Sequence, residues 1–276
     1  MRHVISLFDL TNDELRRILE IAELLKSDLV GSKKMAPLRG SNLALIFEKQ
    51  SLRTRVSFEA GMTQLGGGCL FLGQEAGWGV RESMKDFSEV LSEYVDVIAC
   101  RSYSHQTVEE LAKYCTVPVI NALTDFCHPC QALADVYTIA EHVGGLNSLA
   151  GRQVAYIGDA NNVARSLAIA CGKLDMRLTI ACPEKYQFDT TSLDVISNGC
   201  AGFAVEQTTD ARAAVENAVA IYTDVWASMG QEKEQKQRQQ DFADYQVSEE
   251  LLSVATDDSI FLHCLPARRG QEVTDA

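Results

Sequence analysis

Short apolar runs alternate with helix-like segments along almost the whole chain. The runs at 43–47, 95–100, 153–157 and 219–223 have the length and composition of buried strands, and segments with helical apolar spacing separate them. Strands joined through helices pair in parallel, because a crossover brings each new strand back in the same direction. The sequence therefore predicts an α/β fold of two doubly wound lobes, each built on a parallel sheet with helices on both faces.

The best boundary between the two lobes is the glycine-rich segment Gly144–Gly151. A chain of 276 residues is long enough for two domains of ordinary size, each with its own core. We therefore predict one domain at 1–143 and a second at 144–276.

The stretch from Phe47 to Phe58 predicts a phosphate site. A predicted strand ends at Phe47, and Ser51 is placed to cap the helix that follows. A helix start offers backbone N–H groups and a positive dipole end to an anion, and Arg53, Thr54 and Arg55 add two charges and a hydroxyl. The alternative is a capped surface helix with solvated arginines.

Charge and cysteine usage restrict the partners and the compartment. A net charge of −13 argues against nucleic acid or an anionic membrane as the main partner. No apolar run approaches a membrane span, and the N-terminus does not read as a signal peptide. Nine irregularly spaced cysteines indicate reduced thiols and a cytoplasmic protein. Cys127 and Cys130 form a lone C-x-x-C without a second ligand pair, so we interpret them as incidental rather than as a metal or redox site.

The residues that follow the predicted strands differ in character between the lobes. In parallel sheets these positions share the edge where ligands bind. The first lobe offers cations, hydroxyls and an imidazole, and the second offers carboxylates, amides and a thiol. Each residue alone could be a surface, cap or core residue, and Gly158–Asn162 lacks the dinucleotide pattern G-x-G-x-x-G. Together they suit an anionic phosphate substrate in one lobe and a cationic amine in the other, with the reaction in the cleft.

Five segments in order along the chain resemble the successive signatures of the ornithine carbamoyltransferases. The first and second are shared by carbamoyltransferases in general, and the fourth and fifth resemble the ornithine branch. In order along the chain, the five segments are Phe47-Glu-Lys-x-Ser-x-Arg-Thr-Arg-Val-Ser-Phe-Glu59, His128-Pro-Cys-Gln-Ala-Leu-Ala-Asp135, Gly158-Asp-x-Asn-Asn162, Asp224-Val-Trp-x-Ser-Met-Gly-Gln-Glu232 and His263-Cys-Leu-Pro-Ala267.

The resemblance implies carbamoyl transfer from carbamoyl phosphate to the δ-amine of L-ornithine, with no metal or organic cofactor, in a homotrimer. It implies that carbamoyl phosphate is bound by Ser51, Leu52, Arg53, Thr54, Arg101, His128, Gln131, Cys264 and Leu265. It implies that ornithine is bound by Asn162, Asp224, Ser228 and Met229. The catalytic set would be Arg53, Arg101, His128 and Cys264, the last acting as a thiol or thiolate near the attacking amine.

Three departures from the family pattern keep alternatives open. Leu52 stands where ornithine enzymes usually have threonine, and the loop Gly73–Glu82, with Trp78 near an expected glutamine, is one residue shorter. The family's closing segment, with a substrate-contacting arginine and a returning helix, is expected after Asp275 and is not in this sequence. The alternatives are a transcarbamylase for putrescine or an N-acylornithine, and a non-catalytic homologue acting as a subunit or regulator. Asp224 and Ser228–Gly230 favour free ornithine.

Overall fold

Two parallel sheets organise the chain. The computed structural model describes residues 2–30, 35–74, 77, 80–227 and 232–275, and it divides into two compact units, Met1–Cys130 and Gln131–Ala276. Each unit contains one sheet whose strands all run parallel, with helices connecting them. The predicted α/β class with two parallel sheets is confirmed. The helix Pro129–Val143 begins in the first unit and continues into the second, and the predicted domain boundary lies at its end.

The first unit is built on a four-stranded sheet with the order β2-β1-β3-β4. Its elements are α1 (Asn12–Val30), β1 (Asn42–Phe47), α2 (Leu52–Gln64), β2 (Gly68–Leu72), α3 (Met84–Ser92), β3 (Val97–Arg101), α4 (His105–Tyr114) and β4 (Val119–Leu123).

The second unit is built on a five-stranded sheet with the order β7-β6-β5-β8-β9. Its elements are α5 (Pro129–Val143), β5 (Gln153–Ile157), α6 (Asn162–Lys173), β6 (Arg177–Ala181), α7 (Thr190–Gly199), β7 (Glu206–Thr208), α8 (Ala211–Val215), β8 (Ala218–Thr223), α9 (Gln235–Asp241), α10 (Glu249–Leu252) and β9 (Ile260–His263).

The side chains of β1 point alternately to the two faces of the sheet, and both faces are buried. Ala44 and Ile46 pack into one core cluster, and Leu43, Leu45 and Phe47 pack into another. Both faces of the strand are therefore covered, as expected for a parallel sheet. The ends of β1 and β3 then emerge from the core at one edge, where Phe47 pairs with Arg101.

The sequence predicts a capping box of Thr11 and Glu14 for α1, a Ser51 cap for α2 and a helix starting at Ser83, and local capping confirms all three starts. Glu14 accepts from the backbone N–H of Thr11 at 2.8 Å, and Thr11 accepts from the N–H of Glu14 at 3.2 Å, so the capping box of α1 is present. Ser51 is the N-cap of α2, and Ser83 is the N-cap of α3. In the described part of the chain, no helix is long and apolar enough to cross a membrane.

Several predicted boundaries shift by two or three residues. β3 begins at Val97 rather than Val95, because Val95 belongs to the core below the strand and Asp96 accepts from the N–H of Asn42. The sequence pattern predicts a helical segment over 193–198, but α7 begins at Thr190, because Asp189 caps it. The highly polar composition of 231–241 predicts a solvated helix or a flexible loop, and Gln235–Asp241 within it forms α9, but Arg238 on that helix is buried.

Candidate active site

The start of α2 forms a polar cluster with the end of β3. The Ser51 hydroxyl accepts from the backbone N–H of Thr54 at 3.5 Å and donates to the Thr54 hydroxyl at 3.0 Å. The Thr54 hydroxyl also accepts from Nη1 of Arg101 at 3.3 Å. The first turn of a helix carries N–H groups without intrahelical partners and the positive end of the dipole. The first unit therefore combines a helix start, two hydroxyls and a guanidinium.

Arg101 is the unusual member of this cluster. It is only 9% exposed, and burial lowers the pKa of its guanidinium from the ordinary value. No carboxylate of the described residues forms an ion pair with it, and its Nε has no hydrogen-bond partner there. A buried charge without a counter-ion is costly, so this geometry suits an anionic ligand.

The two arginines at the start of α2 are not equivalent. Arg55 donates to Glu59 at 2.8 Å and stacks on the ring of Phe71 at 3.8 Å from its centroid. Arg53 is exposed and forms no ion pair with any residue that the structure describes. Of the two charges that the sequence motif supplies, the one on Arg53 is therefore available to a ligand.

His128 is neutral in this environment. Burial and, to a smaller extent, the positive charge of nearby Arg101 together lower its pKa to about 3. A neutral imidazole can donate a hydrogen bond without adding charge to the site. Of the neighbouring cysteines, Cys127 Sγ contacts the carbonyl of Ile5 and the side-chain amide of Asn121, and Cys130 Sγ contacts the carbonyl of Asn121.

Glu48 is a positioning residue that the sequence analysis did not identify. Its Oε2 accepts from the hydroxyl of Ser102 at 2.5 Å and from the N–H of Tyr103 at 2.7 Å, and its N–H donates to the carbonyl of Arg101. These bonds fix the backbone directly after β3. The position of Glu48 in the Phe-Glu-Lys part of the motif was the available signal.

In the second unit Asp224 lies at the end of β8 and collects three donors. Its Oδ2 accepts from Nδ2 of Asn161 at 2.8 Å, and its Oδ1 accepts from Cys264 Sγ at 2.9 Å and from the N–H of Val225 at 2.7 Å. Asp224 is 7% exposed, and no cationic side chain of the described residues pairs with it. The carboxylate is therefore oriented and desolvated without being neutralised, which suits a ligand ammonium.

Asn161 is a second residue that the predicted site set omitted. Its Oδ1 caps α6 by accepting from the N–H groups of Val163 and Ala164, and it also accepts from the hydroxyl of Tyr156 at 3.2 Å. Its amide nitrogen is thereby directed to Asp224. The predicted ligand Asn162 is the first residue of α6.

Cys264 is a thiol rather than a thiolate. Burial makes the largest contribution to the raised pKa of Cys264. The negative charge of Asp224 and the hydrogen bond to that carboxylate raise the pKa further. The thiol therefore keeps its proton and donates a hydrogen bond to Oδ1 of Asp224. Of the two forms considered from the sequence, the structure favours the thiol.

Asp224, His263 and Cys264 could in principle hold a metal ion, since one ligand atom of each lies within 4.8 Å of the others. Both ring nitrogens of His263 are engaged, however. Nδ1 accepts from the N–H of Leu265 at 2.8 Å, and Nε2 lies 3.2 Å from Oε1 of Glu272. A metal would have to replace one of these bonds, so the donor set does not fit an ion well.

The structure brings most of the predicted residues into two groups. Ser51, Thr54, Arg101 and His128 lie together in the first unit, with Leu52 exposed at the first helical position. In the second unit Asp224 contacts Cys264, while Gln131 donates to Asp135 at 2.8 Å. The predictions for Ser228, Met229 and Trp78 lie outside the described residues.

Two family models match the chain. Residues 2–141 match the carbamoyl-phosphate-binding domain of the aspartate/ornithine carbamoyltransferases, and residues 150–276 match their aspartate/ornithine-binding domain. An α/β transferase with two such domains is therefore the class that fold and site define. The chain belongs to the aspartate/ornithine carbamoyltransferase family.

Comparison with individual members of the family shows which of its enzymes this chain is similar to. An ornithine carbamoyltransferase of Halalkalibacterium halodurans is 49% identical over 99% of this chain and 86% of its own length. The structure of the ornithine carbamoyltransferase of Pyrococcus furiosus is 47% identical, with a TM-score of 0.93 over 99% of this chain and 88% of its own. A structure of an N-acetyl-L-ornithine transcarbamylase is 29% identical, with a TM-score of 0.87 over 100% of this chain and 91% of its own.

Proposed function

We propose that this protein transfers the carbamoyl group of carbamoyl phosphate to the δ-amine of L-ornithine, giving L-citrulline and phosphate for arginine biosynthesis. The observation that carries the proposal is that, among the described residues, a buried charged side chain without an ion-pair partner lies next to the predicted ligand groups in each unit. Arg101 is the cation in the first unit, and Asp224 is the anion in the second. These charges complement a phosphate and an amino-acid ammonium, respectively.

In this proposal the first unit binds the phosphoryl group and activates the carbonyl. The first turn of α2, with Ser51, Leu52, Arg53 and Thr54, binds the phosphate together with Arg101. Arg53, Arg101 and neutral His128 donate to the carbonyl oxygen and stabilise the oxyanion that develops on attack. The amine nitrogen bonds to the carbonyl carbon, the bond to the phosphate oxygen breaks, and the amine loses a proton.

The second unit binds the amino acid. Asp224 pairs with the α-ammonium, and Asn162, Ser228 and Met229 complete the ornithine contacts. Gln131, Cys264 and Leu265 remain assigned to carbamoyl-phosphate binding by their resemblance to the family. Removing the proton from a lysine-like δ-ammonium at pH 7 costs about 4.6 kcal/mol. Because the structure favours a protonated Cys264, its thiol orients Asp224 rather than taking that proton.

The deciding experiment is a citrulline assay with carbamoyl phosphate and a panel of amines. L-ornithine is expected to be the preferred acceptor over putrescine, N-acetylornithine and aspartate. An acylated α-nitrogen carries no charge to pair with Asp224, which disfavours the N-acylornithine alternative. Activity with another amine alone would contradict the ornithine assignment, and no turnover with any amine would favour the non-catalytic homologue.

Arg53→Ala is expected to lower kcat/KM for carbamoyl phosphate by about 10²- to 10³-fold. In this proposal its guanidinium both binds the phosphate of the substrate and stabilises the oxyanion that develops on attack. Arg55→Ala is the matched control. It removes an equal charge two residues away, but one already paired with Glu59 and Phe71. Steady-state kinetics of both variants check the prediction, and equal losses in both would contradict it.

Asp224→Asn is expected to raise KM for ornithine roughly 10- to 100-fold, because a charged hydrogen bond contributes about 1.5–3 kcal/mol. KM for carbamoyl phosphate should change far less, because only the amino acid carries an ammonium. Asp210→Asn is a suitable control, since Asp210 caps α8 and asparagine can still do so. Comparable changes in both KM values would argue against the assignment of Asp224.

The proposal includes a cytoplasmic homotrimer. All nine cysteines are free thiols, which supports a reducing compartment. Apolar side chains on and near α2 and the edge strand β2 are exposed, with Leu52 at 75%, Val56 at 50% and Leu70 at 47%. Such a surface is suited to a subunit contact. Analytical ultracentrifugation should give three times the mass of the 30.3 kDa chain.

A further inference from the structure

Leu265 adopts a backbone conformation that a leucine rarely takes. Its φ is +59°, in the left-handed region, directly after β9 and beside Cys264. For a residue with a Cβ this conformation costs about 1–2 kcal/mol and persists only where neighbouring groups enforce it. The groups that enforce it here are identifiable.

His263 holds the backbone of Leu265. Its Nδ1 accepts from the N–H of Leu265 at 2.8 Å, so this nitrogen carries a lone pair. The ring proton then lies on Nε2, which faces Oε1 of Glu272 at 3.2 Å. The side chain of His263 is 3% exposed and that of Glu272 is 0% exposed, so water does not compete for these bonds.

Glu272 is fixed by the chain around it. Its Oε1 also accepts from the N–H of Arg268 at 2.5 Å, and its carbonyl accepts from the N–H of Val247 at 2.9 Å. The next residues continue this contact, since the N–H of Thr274 donates to Val247 at 3.0 Å. Glu272 is therefore a rigid reference point for the imidazole.

Glu272 is costly for stability. Its Oε2 is buried and has no hydrogen-bond partner in the described part of the chain. A buried unsatisfied acceptor costs about 1–3 kcal/mol, and more for a charged group. A buried carboxylate that is incompletely satisfied but rigidly oriented points to a positioning role rather than a stabilising one.

We infer that Glu272 and His263 are positioning residues that hold Leu265 in its left-handed conformation and so place the Cys264 thiol on Asp224. Neither residue contacts a substrate in this scheme. The carboxylate fixes the tautomer and the plane of the imidazole, and the imidazole fixes the peptide N–H of Leu265. The inference rests on the proposed function for its kinetic consequence, but its structural consequence can be measured separately.

Two substitutions of His263 separate its two bonds. Asparagine places its amide oxygen near the position of Nδ1, so His263→Asn keeps an acceptor for Leu265 and loses the donor to Glu272. Glutamine places its amide nitrogen near the position of Nε2, so His263→Gln keeps that donor and loses the acceptor. We expect His263→Asn to be the more active variant and His263→Gln the more stable one.

The kinetic effect should fall mainly on kcat. We expect kcat of His263→Gln and Glu272→Ala to fall about 10- to 100-fold, as for other residues that orient a functional group. KM for carbamoyl phosphate should change less than about threefold, because Arg53 and Arg101 still bind the phosphate. Glu272→Gln, which keeps an acceptor for both donors, should restore most of the activity. A purely structural role would give the same order of variants in activity and stability, and that result would overturn the inference.

Thiol alkylation provides a test that does not depend on carbamoyl transfer. Cys264 and Cys69 are both partly exposed, and Cys69 lies on β2 in the first unit. With iodoacetamide and peptide mass spectrometry, His263→Gln and Glu272→Ala should be alkylated at Cys264 about tenfold faster than wild type, a change of about 1.4 kcal/mol. His263→Asn and Glu272→Gln should match wild type, and Cys69 should be unchanged in all four variants.

The outcomes of this test are distinct. An unchanged Cys264 rate in His263→Gln, or equal acceleration at Cys69, would overturn the inference. If Glu272→Ala does not fold, the two His263 variants, which retain Glu272, still decide it. A wild type that gives no citrulline but shows the expected alkylation pattern would contradict the proposed function and leave the positioning role supported.

Discussion

Replacing Arg101 with glutamine is expected to lower kcat/KM for carbamoyl phosphate by about 10²- to 10³-fold, the loss typical of removing one oxyanion donor. The same substitution should leave the unliganded protein within about 1 kcal/mol of wild type in unfolding free energy, or make it more stable. Few substitutions of a buried residue have this combination of effects. It follows from the lack of a counter-ion for the Arg101 guanidinium.

The guanidinium of Arg101 is desolvated without compensation. Burial lowers its pKa, its one side-chain hydrogen bond among the described residues goes to Thr54, and its Nε is unsatisfied. Glutamine removes the charge and keeps a donor of similar reach. Inorganic phosphate should stabilise wild type by about 2.7 kcal/mol at a hundred times its Kd, and it should stabilise Arg101→Gln much less.

Arg238 provides the matched control. It is buried to a similar extent, at 6% exposure, but it pairs with Asp159 at 2.8 Å and with Glu234 at 3.1 Å. Breaking a buried pair leaves an uncompensated charge, so Arg238→Gln should cost about 3–5 kcal/mol. Denaturant unfolding of both variants measures the contrast. A loss of stability in Arg101→Gln as large as in Arg238→Gln would show that Arg101 is structural.

The fold could be predicted from the sequence because parallel strands are marked by local composition. β5 agrees with its predicted bounds, because it is a short apolar run ended by a turn. β3 was placed two residues too early, because the apolar Val95 lies in the core without belonging to the strand. Composition identifies buried residues, but it does not show which of them join the hydrogen-bond ladder.

The site was predicted less completely, because its orienting contacts join residues far apart in the chain. Asn161 meets Asp224 across 63 positions, and Ser102 meets Glu48 across 54. Motifs identify groups that touch ligands, whereas the residues that orient those groups are recognised only by tertiary contact. The pairing of Arg55 with Glu59, four residues on in α2, could have been predicted from the sequence, whereas the hydrogen bond from Cys264 to Asp224 spans 40 positions and could not.

Asp135 should make the stability of the protein depend on pH. It is 6% exposed on α5, and burial raises the pKa of its carboxyl to about 7. The hydrogen bond from Gln131, at 2.8 Å, opposes this rise, and the charge of Asp224 reinforces it. Around it lie Tyr222, Cys264 and Cys171, whose own pKa values are raised, so these groups stay neutral between pH 4 and 8.

The sign of the effect follows from proton binding in the two states. Below about pH 4 the carboxyl is protonated in both states, and its burial carries no charge penalty. Between about pH 4 and pH 7 the unfolded chain ionises while the native state keeps its proton, so the native state binds more protons and stability falls as pH rises. Over this window the loss attributable to Asp135 is about 4 kcal/mol at most.

Asp135→Asn is therefore expected to be close to wild type in unfolding free energy at pH 4 and more stable than wild type, by a few kcal/mol, at pH 8. The amide keeps the size of the side chain and removes the titration. Asp189→Asn is the control: hydrogen bonds from Ser192 lower the pKa of Asp189 below its ordinary value, so its contribution to stability is lost only below about pH 4, and the gap between this variant and wild type should stay nearly constant from pH 4 to 8. Urea unfolding of the three proteins at pH 4, 5, 6, 7 and 8 measures the difference. A constant gap between Asp135→Asn and wild type across this range would mean that Asp135 is ionised throughout, with its charge balanced in the native state.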